Sequence, residues 1–91
     1  MPYIRVDNRI LYDDLISSLA ERIKIGGGSD KKRAGELNYV ITKLLSLAYA
    51  DGFNYAVHNE IIGMLECCKQ EWYRRKVAPY EDKKIVENGD V

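Results

Sequence analysis

The sequence predicts an all-α fold: a three-helix domain built on an antiparallel hairpin of helices 2 and 3, with a short C-terminal helical segment. Apolar residues recur at helical spacing in three stretches, residues 8–24, 36–50 and 54–78. Glycines follow the first two stretches, as is typical of helix ends. Only a very short turn separates the second stretch from the third, and such a connection favours antiparallel neighbours.

Length and charge limit the classes of protein that this chain can belong to. Its 91 residues predict one domain, residues 1–91, with a modest core that burial against a partner would enlarge. Fourteen basic side chains balance fourteen acidic ones, so no overall field attracts nucleic acid or an anionic membrane. No apolar run approaches the ~20 residues of a membrane span, and the N-terminus lacks a signal-peptide core. We expect a cytoplasmic protein without a membrane partner.

The N-terminal part is predicted to contain an extended arm and the first helix. Residues 1–7 are rich in side chains that favour extended structure, so we expect an arm or a short edge strand. Helix 1 follows at about residues 8–24, with either Asn8 or Asp13 as its N-cap.

Residues 25–35 contain three consecutive glycines and are predicted to form a flexible loop. Backbone amides of glycine-rich loops can bind phosphate, but the P-loop spacing is absent here and no apolar strand precedes the glycines.

Helix 2, at about residues 36–50, has the widest apolar stripe and is predicted to form the centre of the core. Asn38 and Tyr39 near its start are candidate binding residues. Because Asn is a poor interior helix residue, Asn38 is expected to hydrogen-bond toward the loop or toward helix 3.

Helix 3, at about residues 54–78, begins with Asn54 as its predicted N-cap. Its end is predicted just before Pro79, since proline disfavours helical geometry in the preceding residue. The predicted apolar stripe is Val57, Ile61, Leu65, Cys68 and Trp72, which makes Cys68 a small core residue.

The C-terminal residues allow two interpretations. The favoured one is a short helical segment, residues 79–87, and a tail, residues 88–91, that starts with the turn signal Asn88-Gly89. In the second, Ile85, Val86 and the terminal Val91 are extended and pair with residues 3–6.

Catalytic and metal chemistry find little support in the sequence. His58 and Cys67 lie nine residues apart on one helix and cannot meet within it. Two adjacent cysteines do not match the spacing of a zinc site, and they are expected to be free thiols. We therefore expect no cofactor, no metal and no catalytic residue. A metal-dependent nucleotide hydrolase is the third and weakest hypothesis.

Residues 69–84 combine basic and aromatic side chains and carry a net charge of +3. Such a cluster is typical of protein interfaces and also of surfaces that bind nucleic acid. It is explained equally well by ion pairs, which we expect between Glu71 and Arg74 or Arg75, Glu66 and Lys69, and Glu81 and Lys84. The candidate binding residues here are Trp72, Tyr73, Arg74, Arg75, Tyr80 and Glu81.

Several short motifs resemble a family of small uncharacterised proteins from bacteria, archaea and their viruses, catalogued as a domain of unknown function. They are Gly35-Glu36-Leu37-Asn38-Tyr39, Leu65-Glu66-Cys67, Tyr73-Arg74-Arg75, Pro79-Tyr80-Glu81 and Asn88-Gly89-Asp90-Val91. The resemblance covers residues 35–91 well and helix 1 loosely. It implies a small, mostly helical, single-domain protein and brings no activity.

Together these observations predict a non-enzymatic interaction or assembly module. We expect it to form a homodimer, and an unidentified protein is a second candidate partner. The alternative is a nucleic-acid accessory protein that uses Arg74, Arg75, Lys76 and Tyr80.

Overall fold

The computed structural model describes residues 3–27 and 32–91, in which helices are present and strands are not. The all-α prediction is confirmed. In chain order the elements are a 3₁₀ helix (Val6–Leu11), α1 (Asp13–Gly27), α2 (Arg33–Ala48), α3 (Tyr55–Trp72), a π-helical turn (Tyr73–Val77) and α4 (Ala78–Asn88). None of the helices in the described part of the chain has the length and apolar character needed to cross a membrane.

The predicted N-terminal arm is only partly extended: Arg5 has an extended backbone conformation, whereas Val6 and Asp7 already belong to the 3₁₀ helix, and residues 1 and 2 lie outside the described residues. Asn8 N–H donates to the Arg5 carbonyl at 3.0 Å, and Arg9 Nε donates to the Ile4 carbonyl at 3.2 Å. These local bonds satisfy backbone groups that a strand would have to pair with a neighbour. The alternative pairing with residues 85 and 86 is also wrong, because both lie inside α4.

α1 continues to Gly27, beyond the predicted end at residue 24, and α2 begins at Arg33. Residues 28–31 of the predicted loop lie outside the described residues. A side chain at Gly26 would place its Cβ 3.3 Å from the Glu36 carboxylate. Gly26 thus lies where α1 and α2 pack together, and a side chain there would require the Glu36 carboxylate, the end of a flexible side chain, to move by a few tenths of an ångström.

The chain divides into two compact units, Tyr3–Phe53 and Asn54–Val91. The first contains the 3₁₀ helix, α1 and α2. The second contains α3, the π-helical turn and α4. The antiparallel pairing of helices 2 and 3 stays a prediction, because these helices belong to different units, and so does the single-domain organisation.

Side-chain burial differs most from the sequence-based expectation. Ile23 on α1, 9 % exposed, is the only buried apolar residue in the described part of the chain. α2 is not the centre of a core, because its side chains Leu37, Ile41, Leu44 and Leu47 are exposed. In the predicted stripe of helix 3, Val57, Ile61 and Leu65 are half-buried, whereas Cys68 and Trp72 are exposed. In the first unit, α1 packs on α2, which covers only one side of each apolar face. In the second unit, α3 and α4 contact the π-helical turn that joins them along one helical segment.

The predicted helix ends agree with the structure at two places. Asn54 is the N-cap of α3, and its side-chain oxygen accepts a hydrogen bond from Val57 N–H at 2.9 Å. Gly89 follows α4 with φ of +90°, a conformation that favours glycine, and its N–H donates to the Ile85 carbonyl at 2.8 Å.

The uneven burial predicts unequal effects of two identical substitutions on α1. Ile23→Ala removes the one buried side chain, and we expect it to lower the free energy of unfolding by about 2–3 kcal/mol. Ile25→Ala, at a position 68 % exposed, is the control and is expected to change it by less than about 0.5 kcal/mol. Urea unfolding followed by circular dichroism measures both, and equal losses would contradict the assignment of Ile23 as the core residue.

Candidate functional site

The candidate site lies where Pro79 follows the π-helical turn. Proline lacks an N–H, and its ring collides with the carbonyl four residues earlier in a regular α-helix. Here the backbone N–H of Ala78 donates to the carbonyl of Tyr73, five residues back. This wider turn comes immediately before the proline ring and relieves the collision.

Helical backbone therefore continues through Pro79 to Asn88, and the end we predicted near residue 78 does not occur. Val77 and Ala78 both have right-handed helical dihedral angles. Pro79 lies in the first turn of α4, the part of a helix in which a missing N–H is tolerated best.

The wide turn changes which residues share a face of the helix. Residues eight apart in an ideal α-helix lie about 80° apart, because each residue turns by about 100°. A π turn accommodates one extra residue, so the same eight residues act as about seven and lie within about 20° of each other. Two pairs of candidate residues span the turn in this way, Tyr73 with Glu81 and Trp72 with Tyr80.

Tyr73 and Glu81 are in direct contact across the turn. The Tyr73 hydroxyl donates a hydrogen bond to Oε1 of Glu81. This bond, together with the negative charge of the carboxylate, raises the pKa of the Tyr73 phenol above its usual value. The contact holds α4 to the residue that opens the π-helical turn.

Trp72 and Tyr80 form the aromatic surface of the site. The two side chains are 64 % and 60 % exposed. The ammonium of Lys84 lies over the Tyr80 ring, 5.6 Å from its centre, a cation–π contact. A cleft with a volume of about 620 Å³ lies beside Trp72 and is bordered by Tyr73 and Val77.

Arg74 and Arg75 both bind one carboxylate, as predicted. Arg74 Nη2 lies 2.9 Å from Oε1 of Glu71, and Arg75 Nε lies 2.8 Å from Oε2. The Glu71 side chain is only 21 % exposed, whereas the two arginines are more exposed. Both guanidinium groups thus direct hydrogen-bond donors at Glu71.

The other predicted ion pairs have mixed outcomes. Lys69 binds Glu66 at 3.1 Å as expected, and this hydrogen bond lowers the pKa of the Glu66 carboxyl. Lys84 binds Glu87 at 3.1 Å instead of Glu81. Glu81 is used by Tyr73, a bond that sequence spacing did not predict because it depends on the π-helical turn.

Asn38 and Tyr39 lie in the other unit, on α2. Asn38 Oδ1 accepts a hydrogen bond from Thr42 Oγ1 at 3.3 Å, one turn along the same helix. The predicted bonds toward the loop or helix 3 are replaced by this local one, which is how a polar residue is commonly accommodated in a helix. The structure thus brings together residues 72–75, 80 and 81, and it leaves these two on a separate element.

The described residues bear on two predictions, those for metal binding and for the cysteine side chains. No three His, Cys, Asp or Glu side chains there are placed to hold a metal ion. Cys67 and Cys68 are free and exposed. Cys68 is therefore not the core residue that the apolar stripe had suggested.

The raised pKa of Tyr73 predicts a loss of stability at high pH. The neutral phenol donates to Glu81, so this contribution is complete below the ordinary tyrosine pKa of about 10. It disappears as the pH rises through the raised pKa, because a phenolate repels the carboxylate. Tyr73→Phe should therefore unfold at a lower temperature than wild type at pH 8, and the difference should begin to shrink above about pH 10 and vanish once the pH passes the raised pKa.

Thermal unfolding across this pH range is the measurement, and Tyr55→Phe on α3 is the control. A difference between wild type and Tyr73→Phe that stays constant with pH would contradict the Tyr73–Glu81 bond.

Comparison with known proteins places the chain in one family. No curated protein and no solved structure matches it. The family described as "Domain of unknown function (DUF6899)" matches residues 1–91, in agreement with the predicted resemblance, and its description assigns no activity. The chain therefore belongs to the DUF6899 family.

Proposed function

We propose that this protein is a non-enzymatic interaction module that assembles with a second copy of itself. The observation that carries the proposal is the shortage of buried apolar side chains. Beyond Ile23, the large apolar residues of both units keep much of their surface accessible to water. A folded chain rarely leaves so much apolar surface uncovered unless a partner covers it.

The candidate site has the composition that interfaces prefer. Trp, Tyr and Arg dominate the residues whose truncation weakens protein complexes most. The site contains the adjacent residues Trp72 and Tyr73, and Tyr80 follows about two turns later. The chain carries no net charge, so two copies do not repel each other as a whole.

A cytoplasmic location fits this proposal. Cys67 and Cys68 are exposed free thiols, and such thiols persist in a reducing compartment.

Self-association predicts a dimer in sedimentation equilibrium at micromolar concentration. Trp72→Ala should raise the dissociation constant at least ~30-fold, the effect of losing a hot-spot side chain worth ~2 kcal/mol. Val86→Ala, at a position 85 % exposed near the end of α4, should leave it within about threefold. A monomer throughout this range would refute the proposal.

The nucleic-acid alternative is less well supported by the geometry. Arg74 and Arg75, the residues it depends on, already bind Glu71. We therefore expect no salt-dependent binding of single- or double-stranded oligonucleotides at low ionic strength. Affinity that falls steeply with salt, and that is lost in the Arg74→Ala/Arg75→Ala variant, would instead favour this alternative.

A further inference from the structure

One exposed apolar line follows α3 and crosses the π-helical turn. Met64, Cys68 and Trp72 are spaced four residues apart, so the row that they form turns by about 40° from each residue to the next. Tyr80 lies within about 20° of Trp72 because of the extra residue of the turn. We name these four residues the central stripe. The Cys68 thiol contacts the Met64 thioether, with 3.8 Å between the sulfur atoms. Cys68, Trp72 and Tyr80 are exposed, and so is Met64.

We infer that two copies of this chain pair antiparallel through the central stripe, with Cys68 beside the two-fold axis. This inference rests on the self-association proposed above and specifies its surface and direction. The occupant of the stripe is thus a second α3 that runs the opposite way.

The charge pattern along the helix favours the antiparallel direction. Residues 54–67 contain two glutamates and no lysine or arginine, a net charge of −2. Residues 69–84 contain six basic and three acidic side chains, a net charge of +3. Antiparallel pairing about Cys68 places each acidic half opposite a basic half of the second copy. Parallel pairing would place like charges together, which is unfavourable over a desolvated interface.

The apolar pattern is symmetric about the same residue. Met64 lies four residues before Cys68, and Trp72 lies four residues after it. In an antiparallel pair, Met64 of each copy therefore faces Trp72 of the other. Thioether–aromatic contacts of this kind are favourable. The small side chain of Cys68 at the centre allows the helix axes to come within about 8–10 Å.

Disulfide cross-linking tests whether the two-fold axis passes beside Cys68. The neighbouring Cys67, which faces another side of the helix, serves as the control. A disulfide needs Cα atoms about 4.4–6.8 Å apart with their side chains facing each other. Cys67→Ser keeps only Cys68, which lies in the stripe and should give a covalent dimer when diamide accepts the two thiol hydrogens. Cys68→Ser keeps only Cys67, which points about 100° away on the helix, and the covalent dimer should be lost.

Double electron–electron resonance measures the distance between two spin labels, and it tests whether the two helices run antiparallel without depending on thiol reactivity in the stripe. A spin label on Lys83→Cys, in a Cys67→Ser/Cys68→Ser background, lies fifteen residues from the axis. At 1.5 Å per residue, antiparallel pairing separates the two labels by about 45 Å. Parallel pairing leaves them roughly 10–20 Å apart, close to the distance between the helix axes.

Sedimentation of the same variants separates the inference from the proposal on which it rests. Dimers with Cys68-specific cross-links and the long label distance support antiparallel pairing. Dimers that cross-link equally through Cys67, or that show the short distance, overturn the antiparallel pairing and leave self-association intact. A strict monomer overturns both.

Discussion

The hydrogen bond from the Ala78 N–H to the Tyr73 carbonyl is the interaction on which the candidate site depends. It replaces the four-residue bond of a regular helix with a five-residue one directly before Pro79. Without it, the proline ring would collide with the preceding turn and end or kink the helix. With it, helical backbone extends from Tyr55 to Asn88, and the residues on either side of the turn come into alignment.

The interactions within this long helical segment are too weak to stabilise it by themselves. Its ion pairs within the helix are worth about 0.3–0.5 kcal/mol each, whereas ordering one residue of backbone costs roughly 1–2 kcal/mol. Surface pairs such as Lys69–Glu66 therefore set local geometry more than they stabilise the segment. Burial of apolar side chains has to supply the rest, and on this segment no described residue is buried.

Sequence pattern predicted those features that depend on neighbours along one helix. Helical periodicity, the Asn54 cap and the Glu71–Arg75 pair all follow from spacings of three or four residues. The π-helical turn could not be predicted in this way, since proline usually ends a helix and nothing in the spacing signals a five-residue bond. The Tyr73–Glu81 contact was missed for the same reason.

Burial could not be predicted either, because periodicity identifies an apolar face without identifying what covers it. Cys68 and Trp72 have the spacing of core residues and yet are exposed. An apolar helix face has the same sequence pattern whether it is buried inside a monomer or between two copies in a dimer.

The alignment across the turn gives the exposed face its length. In a regular helix, Tyr80 would lie about 80° beyond Trp72 and about 160° from Met64, on the far side of the helix from the start of the central stripe. The extra residue returns Tyr80 to the stripe and places the basic residues 74–76 between the two aromatic rings. An aromatic surface with a basic segment at one end and an acidic segment at the other is self-complementary only when two copies run in opposite directions. In the antiparallel dimer proposed above, the backbone bond that accommodates Pro79 would therefore also determine how far along the helix the second copy makes contact.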